Sequence, residues 1–134
     1  MKKELSKYRL ETAKKRLDTA LLLLEAKRYE DSVSKSYYAI FSAARALLAT
    51  KSLDSPKHSG VISLFNQHFV RTEVVKKTMG RILIDAKDAR ERSDYEDFII
   101  VSRKEAENQL QSAKEFISEI EHVLKKILEK TDEE

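Results

Sequence analysis

Apolar residues recur every three to four positions over most of the chain, the spacing that lines them along one side of an α-helix. Over residues 3–27 the stripe is Leu10, Ala13, Leu17, Ala20, Leu21 and Leu24, opposite Lys14, Lys15, Asp18 and Glu25. A second stretch, residues 31–51, carries Val33, Tyr37, Ile40, Phe41, Ala44 and Leu48. Only Arg28, Tyr29 and Glu30 separate the two, so they are expected to pack as an antiparallel hairpin. The pattern stops over residues 52–57. Ser55 followed by Pro56 reads as the N-cap and first residue of a short third helix, residues 56–68, because proline has no N–H to leave unpaired there. Thr72 is expected to cap a fourth helix that runs to about Arg90 on Val75, Met79, Ile82, Ala86 and Ala89. Residues 92–97 then form a polar break whose one large ring is Tyr95. Ser102 with Glu105 three positions on is a capping box, and it opens a last helix striped by Ala106, Leu110, Ala113, Ile117, Ile120, Leu124 and Ile127. The predicted fold class is all-α, an up-and-down bundle of four long helices plus one short helix, with residues 1–134 forming a single domain.

Composition removes the alternatives. The 134 residues include two glycines, Gly60 and Gly80, one proline and no cysteine. An all-β fold would lack turn residues, and the glycine-built phosphate loops need two or three clustered glycines. Without cysteine there is neither a disulfide framework nor a thiolate zinc site. Apolar runs stop at five residues (20–24 and 37–41), so no segment is expected to span a membrane and the expected location is cytoplasmic. The net charge is +3, with seven basic and two acidic side chains in residues 1–16 and an acidic tail at residues 131–134. That balance permits nucleic-acid binding without demanding it.

Three polar features stand out from the bundle pattern. His122 and His68 read as surface or helix-end residues, the latter suited to a C-terminal dipole. His58 lies just inside a helix start, in Ser55-Pro56-Lys57-His58-Ser59-Gly60, where backbone N–H groups with Lys57 and Ser59 can receive a phosphate. An ordinary solvated helix start is the plainer alternative. Tyr37 and Tyr38 are adjacent and cannot both face inward on a helix, so one is expected in the core and one at a groove or interface. Residues 89–98 gather Arg90, Arg92, Asp94, Tyr95 and Asp97 at a helix end. Arginine there can grip a phosphate in bidentate fashion and tyrosine can stack on a base; the alternative is a salt-bridged terminus in which Arg90 and Arg92 pair with Asp94 or Asp97. No His-x-x-x-His pair occurs and the carboxylates are scattered among lysines, so no metal and no cofactor is expected.

Three segments taken together resemble the HEPN superfamily, the higher eukaryotes and prokaryotes nucleotide-binding domains. They are Tyr37-Tyr38-Ala39-Ile40-Phe41-Ser42-Ala43-Ala44-Arg45, Lys57-His58-Ser59-Gly60-Val61-Ile62-Ser63-Leu64-Phe65, and Arg92-Ser93-Asp94-Tyr95-Glu96-Asp97-Phe98. The branch they resemble is that of small stand-alone archaeal and bacterial proteins. The resemblance implies a helical bundle, a homodimer with a groove between subunits, and a partner nucleotidyltransferase in a two-gene toxin–antitoxin module. It implies a nucleotide or RNA ligand held by Lys57, His58, Ser59, Arg92, Asp94 and Tyr95. In the ribonuclease branch an Arg-x4–6-His motif supplies the chemistry, and here Arg92 is followed at those spacings by Asp97, Phe98 and Ile99. Binding is therefore the expected role. The alternatives are a metal-independent ribonuclease toxin with a non-standard set, Arg92 and His58, or a non-catalytic adaptor that binds protein.

Overall fold

A computed structural model describes residues 2–133, and among them there is no strand. The elements are α1 (Lys2–Glu25), α2 (Tyr29–Ala49), α3 (His58–Phe65), a π-helical turn (Asn66–Val70) that continues α3, α4 (Lys77–Tyr95) and α5 (Arg103–Glu133). The all-α bundle follows the hydrophobic pattern. Antiparallel packing of α1 on α2 is visible in the cross-links. Arg9 donates to the Arg45 carbonyl (3.2 Å), Arg16 to Ser42 Oγ (2.6 Å), and Ser32 Oγ to the Ala20 carbonyl (2.8 Å), so partners in α2 recede as α1 advances. The α4 and α5 helices are antiparallel by the same reasoning, since Arg92 pairs with Glu105 while Lys76 reaches Glu119. No described helix is long and apolar enough to cross a membrane. The acidic tail at residues 131–134 lies outside the residues whose side chains are described.

The second helix is the hub. It touches α1, α3, α4 and α5, and 14 of its 21 residues are buried. A single apolar stripe was the expectation; burial on nearly every side is the finding. Ala39, Ala43, Ala44, Ala46 and Ala49 make it possible, because small side chains let neighbouring helices approach from several directions at native packing density. The larger core residues Tyr37, Leu47, Leu48, Phe65, Phe69 and Phe116 fill the space left around it.

Element boundaries differ from the sequence pattern for local reasons. The α1–α2 connection is residues 26–28, because α1 closes in a Schellman motif: Arg28 N–H bonds the Leu23 carbonyl (2.8 Å) and Lys27 N–H the Leu24 carbonyl (3.0 Å). Ser55 and Pro56 stay outside α3, since Lys57 is extended (φ −108°, ψ 140°) and the helix starts at His58. Ser55 Oγ instead accepts the Lys57 N–H (3.3 Å) and leans over Gly60, where a Cβ would lie 2.0 Å from that oxygen. Thr72 caps nothing; its hydroxyl donates to the His68 carbonyl (2.7 Å), and α4 begins at Lys77 after the Lys76 N–H bonds Glu119 (3.4 Å). The polar break expected at residues 92–97 is largely helical, for α4 runs on to Tyr95. The Ser102 cap holds, with Ser102 Oγ accepting the Glu105 N–H at 3.0 Å.

Having few glycines, the chain ends its helices on other residues in the left-handed region: Lys27 (φ 64°), Ser52 (φ 56°) and Glu73 (φ 62°). A side chain there costs about 1–2 kcal/mol, and glycine's extra chain entropy offsets part of the gain from removing it. Lys27→Gly, Ser52→Gly and Glu73→Gly are each expected to raise stability by about 0.5–1 kcal/mol, read as a higher urea midpoint at unchanged slope.

Candidate functional site

Tyr37, Phe41 and Arg45 occupy successive turns of one face of α2 and point toward the start of α3. The Tyr37 ring is fully buried, and its hydroxyl lies 2.9 Å from His58 Nδ1. Burial pushes the Tyr37 phenol well above the ordinary tyrosine range; Arg90 opposes the shift, and Tyr38 and Glu91 reinforce it. The phenol therefore keeps its proton, and it shares a hydrogen bond with Nδ1 whose direction follows the tautomer of the ring. Burial also lowers the His58 pKa, helped by the positive charges of Arg90, Lys87 and Arg45 against Glu91. Both effects favour the neutral ring. It stacks on Phe41 at 4.2 Å between centroids, with Tyr37 at 5.7 Å and the edge of Tyr38 at 6.0 Å. Together Phe41, Arg45, Asp54, Ser55, Pro56 and His58 line a cavity of about 570 Å³.

Two clusters of arginine flank that cavity. From α4, the Arg90 guanidinium sits 5.3 Å from the Tyr38 ring centroid, 5.9 Å from Tyr37 and 5.7 Å from Tyr95, within cation–π range of all three. Its Nε is 3.0 Å from Asp94 Oδ2, one turn on, but is buried without a hydrogen bond. Arg16 of α1 lies 5.9 Å from Tyr38 as well. On the other side, Arg45 forks onto Asp54 (Nη2 to Oδ2 3.0 Å, Nε to Oδ1 3.4 Å), and Arg9 Nη2 reaches the same Oδ2 at 3.1 Å. Burial works to raise the Asp54 pKa, yet the hydrogen bond from Arg45, the Ser55 N–H and the charges of Arg45 and Arg9 hold it below the ordinary carboxylate range.

The residues singled out from the sequence are only partly brought together. His58 is in the site, with Lys57 and Ser59 exposed beside it, and Asp94 and exposed Tyr95 join through Arg90. Arg92 faces elsewhere and pairs with Glu105 of α5. The reason is helical phase: two positions on an α-helix differ by about 200°, so Arg90 and Arg92 cannot share a face once α4 continues past both. Both arginines do make ion pairs, as the plainer reading held, although Arg92 finds Glu105 rather than Asp94 or Asp97. Of the adjacent tyrosines, Tyr37 is the core residue and Tyr38 is half-exposed. Sequence reasoning missed Arg45, Asp54 and Phe41. The available signal was the Tyr37-x-x-x-Phe41-x-x-x-Arg45 spacing, an apolar stripe that ends in a cation. Among the described residues no three of His, Asp and Glu converge as a metal-binding group.

An all-α bundle with a histidine boxed by rings and arginines is the class of protein that fold and site define. The chain belongs to the HEPN domain family, which matches it over residues 6–123. A protein of Methanocaldococcus jannaschii named "Putative toxin MJ0605" is 39% identical over 119 residues, 89% of this chain and 88% of its own. A "UPF0332 protein" of Thermotoga maritima is 32% identical over 123 residues, 92% of this chain and 93% of its own. A second Methanocaldococcus jannaschii protein, "Putative toxin MJ0142", is 32% identical over 123 residues, 92% of this chain and 83% of its own.

The site makes stability depend on pH in two windows. The folded His58 pKa is below the ordinary 6.5, so the unfolded chain binds the proton more readily and stability falls as pH drops below that value. The folded Asp54 pKa is below the ordinary 3.8, so its contribution is complete above that value and is lost as pH falls from there through the folded pKa. His58→Gln is expected to flatten urea stability between pH 7 and 5 while leaving the acid loss below pH 4. A Tyr37 hydroxyl that donates to Nδ1 favours the neutral ring, so on Tyr37→Phe the His58 pKa followed by NMR is expected to rise.

Proposed function

We propose that this HEPN protein is the nucleotide- or RNA-binding member of a toxin–antitoxin-type pair, a homodimer that works in the cytoplasm beside a minimal nucleotidyltransferase. The toxin names of two relatives support the toxin-like assignment. The observation that carries the binding reading is the hydrogen bond between His58 Nδ1 and the buried Tyr37 hydroxyl. In the tautomer whose Nδ1 accepts from that hydroxyl, the remaining ring nitrogen is a neutral N–H donor, suited to a phosphate oxygen. Arg45 supplies charge from the cavity wall, and Lys57 and Ser59 are exposed on either side of His58 in the chain. Tyr38 and Tyr95, bracketing Arg90, offer ring faces for a base, while Asp94 holds Arg90 in place. Arg92, turned to Glu105, serves the α4–α5 junction.

A metal-independent ribonuclease is the second reading, favoured by one observation: His58 and Arg90 lie against the same two tyrosine rings. A general base needs a nitrogen free to accept the 2′-hydroxyl proton. Here the Tyr37 hydroxyl engages Nδ1, and in the tautomer that accepts from it Nε2 bears the hydrogen, an arrangement that suits binding better. A protein-binding adaptor would leave the cations at the cavity without a role.

Calorimetry with ATP and with a short single-stranded RNA tests the reading. Losing one charge-assisted phosphate contact costs about 1.5–3 kcal/mol, so His58→Ala and Arg90→Ala are expected to weaken binding by about ten- to a hundredfold. Arg92→Ala is expected to leave affinity within about twofold, at the level of a surface substitution. Absence of binding by the unsubstituted protein overturns the proposal, and cleavage of the RNA that His58→Ala abolishes would establish the ribonuclease instead.

A further inference from the structure

The Arg9–Asp54–Arg45 group is more than a tie between helices. Two guanidinium groups, one from each helix of the first hairpin, converge on a single carboxylate oxygen at 3.1 and 3.0 Å. Arg9 is held in that pose by its second nitrogen, which donates to the Arg45 carbonyl at 3.2 Å. Arg9 is well covered at 13% side-chain exposure and Arg45 partly so at 34%, whereas Asp54 is 46% exposed and belongs to the connection between α2 and α3. The cationic half of the group is therefore built into rigid helices and the anionic half is mounted on a loop. Both Arg45 and Asp54 line the 570 Å³ cavity that ends at His58.

We propose that Arg45 and Arg9 form a phosphate subsite which the chain's own Asp54 fills until a ligand arrives, and that a phosphate-bearing ligand displaces the Asp54 carboxylate from the Arg45 fork. The inference rests on the proposed reading of the cavity as a phosphate-ligand site. Arginine's planar fork takes two oxygens of a carboxylate or of a phosphate with nearly the same geometry. A dianionic phosphate gains more from two guanidinium groups than a carboxylate does, and a half-exposed ion pair is weakly held against exchange. Once released, Asp54 is hydrated at the surface. The Ser55 N–H loses its acceptor Asp54 Oδ1, now 2.9 Å away, so the segment that leads into His58 relaxes with ligand binding. Asp54 thus sets the threshold concentration at which the cavity fills.

Inorganic pyrophosphate is the probe, because it carries the phosphate chemistry without base or sugar. Titrated into the full chain, Asp54→Asn is expected to bind it about tenfold more tightly than the unsubstituted protein, and Arg45→Gln about tenfold more weakly. A purely structural ion pair would make neither variant bind better. In the unsubstituted protein, saturating pyrophosphate is expected to shift the Ser55 amide resonance, a readout that stands even if Asp54→Asn misfolds. Equal or weaker binding by folded Asp54→Asn, no binding by any form, or an unmoved Ser55 amide at saturation overturns the subsite. Failure of ATP and RNA to bind while the pyrophosphate pattern holds overturns the nucleotide reading alone; ATP binding that Asp54→Asn leaves unchanged overturns the subsite alone.

Discussion

Wrapping α2 with four other elements leaves the Tyr37 hydroxyl inside the protein, where an unpaired oxygen would cost about 1–3 kcal/mol. His58 Nδ1 removes that cost at 2.9 Å. Because His58 is the first residue of α3, the bond ties the start of that helix to the centre of the bundle. The preceding segment then has to reach from Ala49 to Lys57 along a set path, which brings Asp54 under Arg45 and Ser55 over Gly60. The placing of Asp54 beside Arg45 thus goes together with the satisfaction of one buried hydroxyl.

The same bond also sorts the chemistry open to the site. A partly buried histidine near three positive side chains, with its inner nitrogen bonded to a phenol, is biased toward the neutral ring. The flanking arginines are each balanced by one carboxylate, Asp94 for Arg90 and Asp54 for Arg45. One of those carboxylates is on the same helix as its arginine, and the other is on a loop. The second also bonds the Ser55 N–H in the connection that leads to His58, which is why displacement is assigned to Asp54.

Much of this architecture was readable in the chain. The 3.6-residue period located every long helix, the Ser102 cap and the antiparallel α1–α2 hairpin, and the three short motifs pointed to the family that the comparison then matched over residues 6–123. The burial split between Tyr37 and Tyr38 was legible because adjacent helical positions lie about 100° apart. The site was legible only in part. His58 was found from its place near a helix start, but Arg90 and Arg92 could not be told apart while the end of α4 was misplaced by five residues. Gly60 is a place where the Ser55 side chain needs room, a contact that neighbouring positions do not announce.

Local periodicity, capping and breaker residues are properties of neighbouring positions, so the sequence by itself determined the all-α class, the helices and the segments between them. Which residues meet across helices depends on phase and on the path of the connections, and neither is encoded locally. Tertiary structure alone decided that Arg90 and not Arg92 turns toward His58, that α2 is enclosed rather than one-sided, and that Asp54 lies between Arg9 and Arg45. The physical reason is common to all three: a buried polar atom or a charged fork is satisfied by whatever the packed bundle brings within about 3 Å, however far apart the partners stand in the chain.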